Sequence, residues 1–93
     1  MARELEAAAL EALRSSPWAA PAHWPRVVLV REPSGALRVE RRAWIARTVQ
    51  RNGDRQAAIE IANRVVPPGH VLLVEDAGGA VRLELVDLRG LRR

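Results

Sequence analysis

Six arginines crowd one stretch of this chain: Arg38, Arg41, Arg42, Arg47, Arg51 and Arg55. Cations gathered on one surface bind phosphate by releasing its counterions, and such binding weakens steeply with salt. Between residues 35 and 56 these six meet only Glu40 and Asp54, so the window holds the whole net charge of +4. If a surface faces a polyanion, it begins here. Single-strand binding also wants exposed aromatics for base stacking, and only Trp44 lies in the window. The simpler reading is a set of solvated strand and helix faces, partly paired with Glu40, Asp54 and Glu60.

Other chemistry is sparsely supplied. The chain has no Cys, Lys or Tyr, and all fifteen basic residues are Arg. An Arg- and Ala-rich, Lys-free chain points to a GC-rich genome. The hydroxyls are Ser15, Ser16, Ser34 and Thr48. No Ser elbow, phosphate-cradling Gly loop or acidic pair is recognisable, so no catalytic residues and no enzyme activity are expected. His23 and His70 have no second ligand at metal-binding spacing, so no metal site or other cofactor is expected. The three Trp stand in for absent Phe and Tyr, and core or surface-docking roles explain them best.

These residues need elements to hold them. Ninety-three residues make a single domain, 1–93. Leu5, Ala9 and Leu13 recur at helical spacing, so 1–14 reads as an N-terminal helix that Ser15-Ser16-Pro17 stops. Residues 15–25 form a connector punctuated by Pro17, Pro21 and Pro25. It carries Trp18 and Trp24 and is expected to pack along the domain. A sheet–helix core follows over 26–88, then a basic tail over 89–93.

Within that core, Val27–Val30 is a strand-length apolar run. Glu32-Pro33-Ser34-Gly35 is a turn, and Leu37 and Val39 alternate with Arg38 and Glu40. The pattern returns as Val71–Val74, Asp76-Ala77-Gly78-Gly79, and Val81, Leu83 and Leu85 alternating with Arg82 and Glu84. Residues 27–40 align without a gap on 71–84 at a constant offset of 44, identical at seven of fourteen positions. The two segments read as one repeated β-hairpin. A helix over 54–65 opens on Asp54, buries Ala58, Ile61, Ala62 and Val65, and stops at Pro67-Pro68-Gly69. Residues 42–51 fit either a helix, with Trp44, Ile45, Thr48 and Val49 on one face, or a third strand. The strand reading is slightly preferred, because β-branched Ile, Thr and Val favour it. As a helix, 42–51 would form with 54–65 a helix-turn-helix of the spacing Val49, Gly53, Ile59, although Asp54 would put a negative charge at the start of the reading helix.

The expected fold class is therefore α+β. An antiparallel sheet of four or five strands comes from two repeated hairpins, with a packed central helix and an N-terminal helix. The order hairpin, short strand, helix with an Ala-Ile pair, Gly-turn hairpin resembles a group of small uncharacterised bacterial domains. Gly35, Val39, Asp54, Ala58-Ile59, Ala62 and Gly79 carry the likeness across about residues 27–86. Ala36 replaces an aromatic, and Asp54-Arg55 replaces a Thr-Lys pair. That group has no established function, so the resemblance implies a fold only.

Strands apolar on both sides need two covers. The N-terminal helix, the Trp connector or a second subunit would supply the second, and a homodimer is expected. The leading functional expectation is a non-catalytic, self-associating interaction module with a protein partner. The alternative is nucleic-acid binding through the 38–55 arginines. Glu4, Glu6 and Glu11 break any signal-peptide core, no apolar run is long enough to cross a membrane, and the lack of Cys fits a cytoplasmic protein.

Overall fold

The computed structural model describes residues 2–51, 55–77 and 80–89. Helix α1 (Ala2–Arg14) is followed by a 3-10 turn (Pro21–Arg26), β1 (Val27–Arg31), β2 (Leu37–Arg41), α2 (Arg42–Arg51), α3 (Arg55–Asn63), β3 (His70–Ala77) and β4 (Ala80–Asp87). The fold is α+β. The four strands form one sheet in the order β2-β1-β3-β4.

The sheet is mixed, not purely antiparallel. Each hairpin is antiparallel, but β1 and β3 pair in parallel at the centre, Val28 beside Leu72, Leu29 beside Leu73 and Val30 beside Val74. Those partners lie 44 residues apart, which is also the offset of the sequence match. Burial accounts for the central position of these two strands. The two apolar runs need cover on both faces and therefore take the two central places.

The hairpins are nevertheless not copies of each other. In the first, five residues connect the strands and Leu29 faces Val39. In the second, Ala77 pairs with Ala80 across two residues, and Leu73 faces Glu84 where the offset would give Leu83. The registers differ by one residue, and a one-residue slip turns a strand over. Leu37 and Val39 thus point to the same face as Val27 and Leu29, whereas Val81, Leu83 and Leu85 point to the face of Leu72 and Val74.

The wider first turn has its own chemistry. Gly35, at φ +90°, donates to the Glu32 carbonyl at 2.8 Å, and the Glu32 N–H donates to the Ala36 carbonyl at 2.9 Å. Ser34 Oγ accepts from the Ala36 N–H. Gly78 and Gly79 lie outside the described residues.

Each face has its own cover. Ala9 and Leu13 of α1 pack with Trp24, Val27, Leu29, Val71, Leu73, Val86 and Leu88 on the first face. The connector joins them there, with Trp24 only 2% exposed and Trp18 at the margin. The second face lies under α2 and α3, where Ile45, Val49, Ala58, Ile61 and Val66 meet Val28, Val30, Leu72 and Val74. The second cover is thus the N-terminal helix and the Trp connector.

Residues 42–51 are a helix, correcting the slight preference for a strand. Ile45 and Val49 are buried one turn apart, with Trp44 and Thr48 half-buried beside them, while Arg47 is exposed. Burial at i and i+4 outweighs the strand propensity of Ile, Thr and Val. Helix α3 ends at Asn63, so Val65 lies outside it and is 83% exposed, and Val66 takes the core place instead. Asn52, Gly53 and Asp54, which carried the expected cap and the glycine of the helix-turn-helix spacing, lie outside the described residues.

Candidate functional site

The six arginines of the 38–55 stretch do not share one surface. Arg38 projects to the α2–α3 side of β2, where it pairs with Glu40 at 2.9 Å and Glu32 at 3.3 Å and lies 4.6 Å over the Trp44 ring. Arg41, three residues on, projects to the opposite side and lies 4.6 Å over Trp18. Arg42 acts as a clamp. Its guanidinium donates to the carbonyls of Pro25 (3.3 Å), Ile61 (3.2 Å) and Arg64, tying connector, α2 and the end of α3 together. Arg47 and Arg55 are exposed on α2 and α3. Arg51 ends α2, and its side chain lies outside the described part.

Arg41 and Arg42 instead meet residues from the connector. Trp18, His23, Arg26, Arg41 and Arg42, with Pro25, Val27 and Ala43, line an open cleft of about 520 Å³. The prolines and the 3-10 turn present Trp18 and His23, whose rings meet edge to face at 5.7 Å. Among the described residues, no carboxylate lines this cleft. The buried His23 Nδ1 and Arg42 Nε have no hydrogen-bond partner among the described residues. The sequence reading missed this grouping, since Trp18 and Arg26 lie far along the chain from Arg41. The signals that the connector is held in place were its two tryptophans, Trp18 and Trp24, and its proline spacing.

The second candidate is the outer edge of β4. This strand is eight residues long, and its outer edge has no strand partner among the described residues. Arg82 and Glu84 stand on one face, exposed and without an ion pair to any described residue. Val81, Leu83 and Leu85 stand on the other, half-buried at the rim of the α2–α3 core. The opposite edge differs. Strand β2 has five residues, Arg38 is already paired, and Arg41 is engaged with Trp18.

Several other polar side chains serve local structure. Arg31 and Glu75 are ion-paired side by side on β1 and β3. Ser15 Oγ donates to the Glu11 carbonyl at 3.1 Å, and Ser16 Oγ accepts from the Trp18 N–H at 3.0 Å. The side chain and backbone N–H of Arg89 hydrogen-bond Asp87 and hold its carboxyl well below the usual carboxylate range. The nearby His70, 3.8 Å away, adds to the effect. Asp87 in turn raises Arg89 above its ordinary value. His70 also hydrogen-bonds the Pro68 carbonyl through Nδ1 at 2.9 Å. Among the described residues, no three His, Cys, Asp or Glu side chains gather as a metal site, and no helix is long and apolar enough to cross a membrane.

No protein-family model matches the chain, and neither a curated protein nor a solved structure is significantly similar to it.

Proposed function

We propose that this chain is a non-catalytic interaction module that works as a homodimer joined through its β4 edges. The carrying observation is the self-complementary pattern of that edge. Val81-Arg82-Leu83-Glu84-Leu85 alternates apolar, positive, apolar, negative, apolar about Leu83. An antiparallel β4–β4 pairing on a two-fold axis at Leu83 sets Arg82 opposite Glu84 of the second copy, and Glu84 opposite its Arg82. On the other face Val81 meets Leu85, and Leu83 meets itself. Opposite charges and apolar side chains directly across an antiparallel pair are the stabilising combinations. A two-fold interface must be self-complementary in this way, and added strands satisfy backbone groups that an edge leaves open. The product is one eight-stranded sheet.

The same pairing on β2 about Val39 would set Leu37 against Arg41, an apolar residue against a charge. A protein partner finds its contact on the far side of the α2–α3 pair. There Ile59 is 45% exposed beside Ala46, Arg55, Ala58 and Ala62.

Light scattering across a concentration series tests the reading. A mass of twice 10.3 kDa at high micromolar concentration is expected. A strictly monomeric mass there contradicts it.

A further inference from the structure

The geometry points to a ligand site in the cleft between the connector and the β2–α2 junction. It fits a small organic anion, with an oxyanion group held by Arg26 and Arg41 and a planar body lying against the Trp18 side of the cleft. The site is on the edge of the sheet opposite β4, so it stands independently of the dimer.

Three observations carry it. The first is charge. Arg26, Arg41 and Arg42 converge on one cleft that no carboxylate among the described residues lines, and a guanidinium stays protonated at any working pH. Glu40, the acid nearest in sequence, projects from the opposite side of β2 and is paired with Arg38. An anion is the group that relieves this excess.

The second is the division of labour among the cations. Arg42 spends its terminal nitrogens on the Pro25, Ile61 and Arg64 carbonyls, which fixes its charge in the wall. Arg26 and Arg41 are exposed and have no carboxylate partner among the described residues, so their forked donors remain available for bidentate contact. Arg41 rests on Trp18, which holds it at the mouth.

The third is size and lining. About 520 Å³ lies within the range of small-molecule sites, and aromatic and apolar walls with a few convergent polar groups are their usual make-up. An oxyanion alone would leave the apolar lining of Pro25, Val27 and Ala43 and the free margin of Trp18 uncovered, whereas an aromatic phosphate reaches them. A nucleoside monophosphate is the simplest molecule with both parts.

Quenching of Trp fluorescence by 5′-AMP, adenosine and inorganic phosphate tests the site, with calorimetry as a second readout. Saturable AMP binding is expected, at least tenfold tighter than adenosine or phosphate and weaker at high salt. Arg41→Gln and Arg26→Gln lie on exposed side chains and should leave the circular dichroism spectrum unchanged, and each should weaken AMP at least fivefold. Trp18→Phe should retain binding better than Trp18→Ala. Absence of saturable AMP binding overturns the proposal, as does binding that ignores both arginine substitutions. A ten-nucleotide oligothymidylate that binds a hundredfold tighter than AMP, and that responds to Arg47→Gln and Arg55→Gln, also overturns it in favour of an extended nucleic-acid surface.

Discussion

Leu29 and Leu73 lie side by side on the two central strands, but across their hairpins Leu29 faces Val39 while Leu73 faces Glu84. That single difference organises the molecule. It turns the apolar alternation of β2 toward α1 and that of β4 toward α2 and α3. Arg38 and Glu40 of β2 therefore stand on the face where β4 is apolar, and Arg82 and Glu84 of β4 on the face where β2 is apolar.

The two central leucines should matter most for stability. Both are essentially fully buried, so Leu29→Ala and Leu73→Ala should each cost about 2–5 kcal/mol in urea unfolding. As contacting neighbours they should not add, so the double variant should depart from the sum by at least 0.5 kcal/mol or so. Val39→Ala and Leu83→Ala, at half-buried sites, should cost less.

Truncations along α2 separate helix from strand. Ile45 and Val49 are buried, while Arg47 between them is exposed. Ile45→Ala should cost about 2 kcal/mol or more, whereas Arg47→Ala should change stability by less than about 0.5 kcal/mol. In a strand all three would share a face and respond alike.

The Arg42 clamp depends on a planar fork that reaches three carbonyls from separate segments. Arg42→Lys keeps the charge but loses that geometry. It should destabilise by about 2 kcal/mol, close to the effect of Arg42→Ala, measured by the urea midpoint.

Gly69 and Asp87 share one corner. Gly69 adopts φ +75°, accepts from the Leu88 N–H at 2.9 Å and lies under the Arg89 side chain, so a β-carbon there would strike Arg89. Gly69→Ala should cost about 1–3 kcal/mol by backbone strain alone. Asp87 is held below the ordinary carboxylate value by Arg89, so its contribution is present above the unfolded pKa of about 3.9 and fades as pH falls through the folded value. Asp87→Asn should lower Tm at neutral pH, and the gap to the parent should narrow steadily as pH falls below about 3.9.

Much of the fold could be read from periodicity. The apolar runs Val27–Val30 and Val71–Val74 became the buried strands, and Leu5, Ala9 and Leu13 marked the inner face of α1. What escaped was set between segments. The parallel central pair depends on which strands meet, and the register difference depends on where each turn closes. Neither is written in a two-residue alternation. Residues 42–51 suited both periods, and the cover waiting above β1 decided between them. The cleft joined Arg41 and Arg42 to Trp18, His23 and Arg26 by tertiary contact alone. The β4 edge is the opposite case, because Val81-Arg82-Leu83-Glu84-Leu85 carries its symmetry in the sequence itself.

Charge reversal on that edge tests the dimer most directly, read by sedimentation equilibrium at high micromolar concentration. Arg82→Glu alone and Glu84→Arg alone each set like charges opposite one another and should shift the mass from twice 10.3 kDa toward 10.3 kDa. The double variant Arg82→Glu/Glu84→Arg restores complementarity with the signs exchanged and should recover the dimer. A parent that is monomeric throughout, or single reversals that leave the dimer intact, would contradict the β4 pairing.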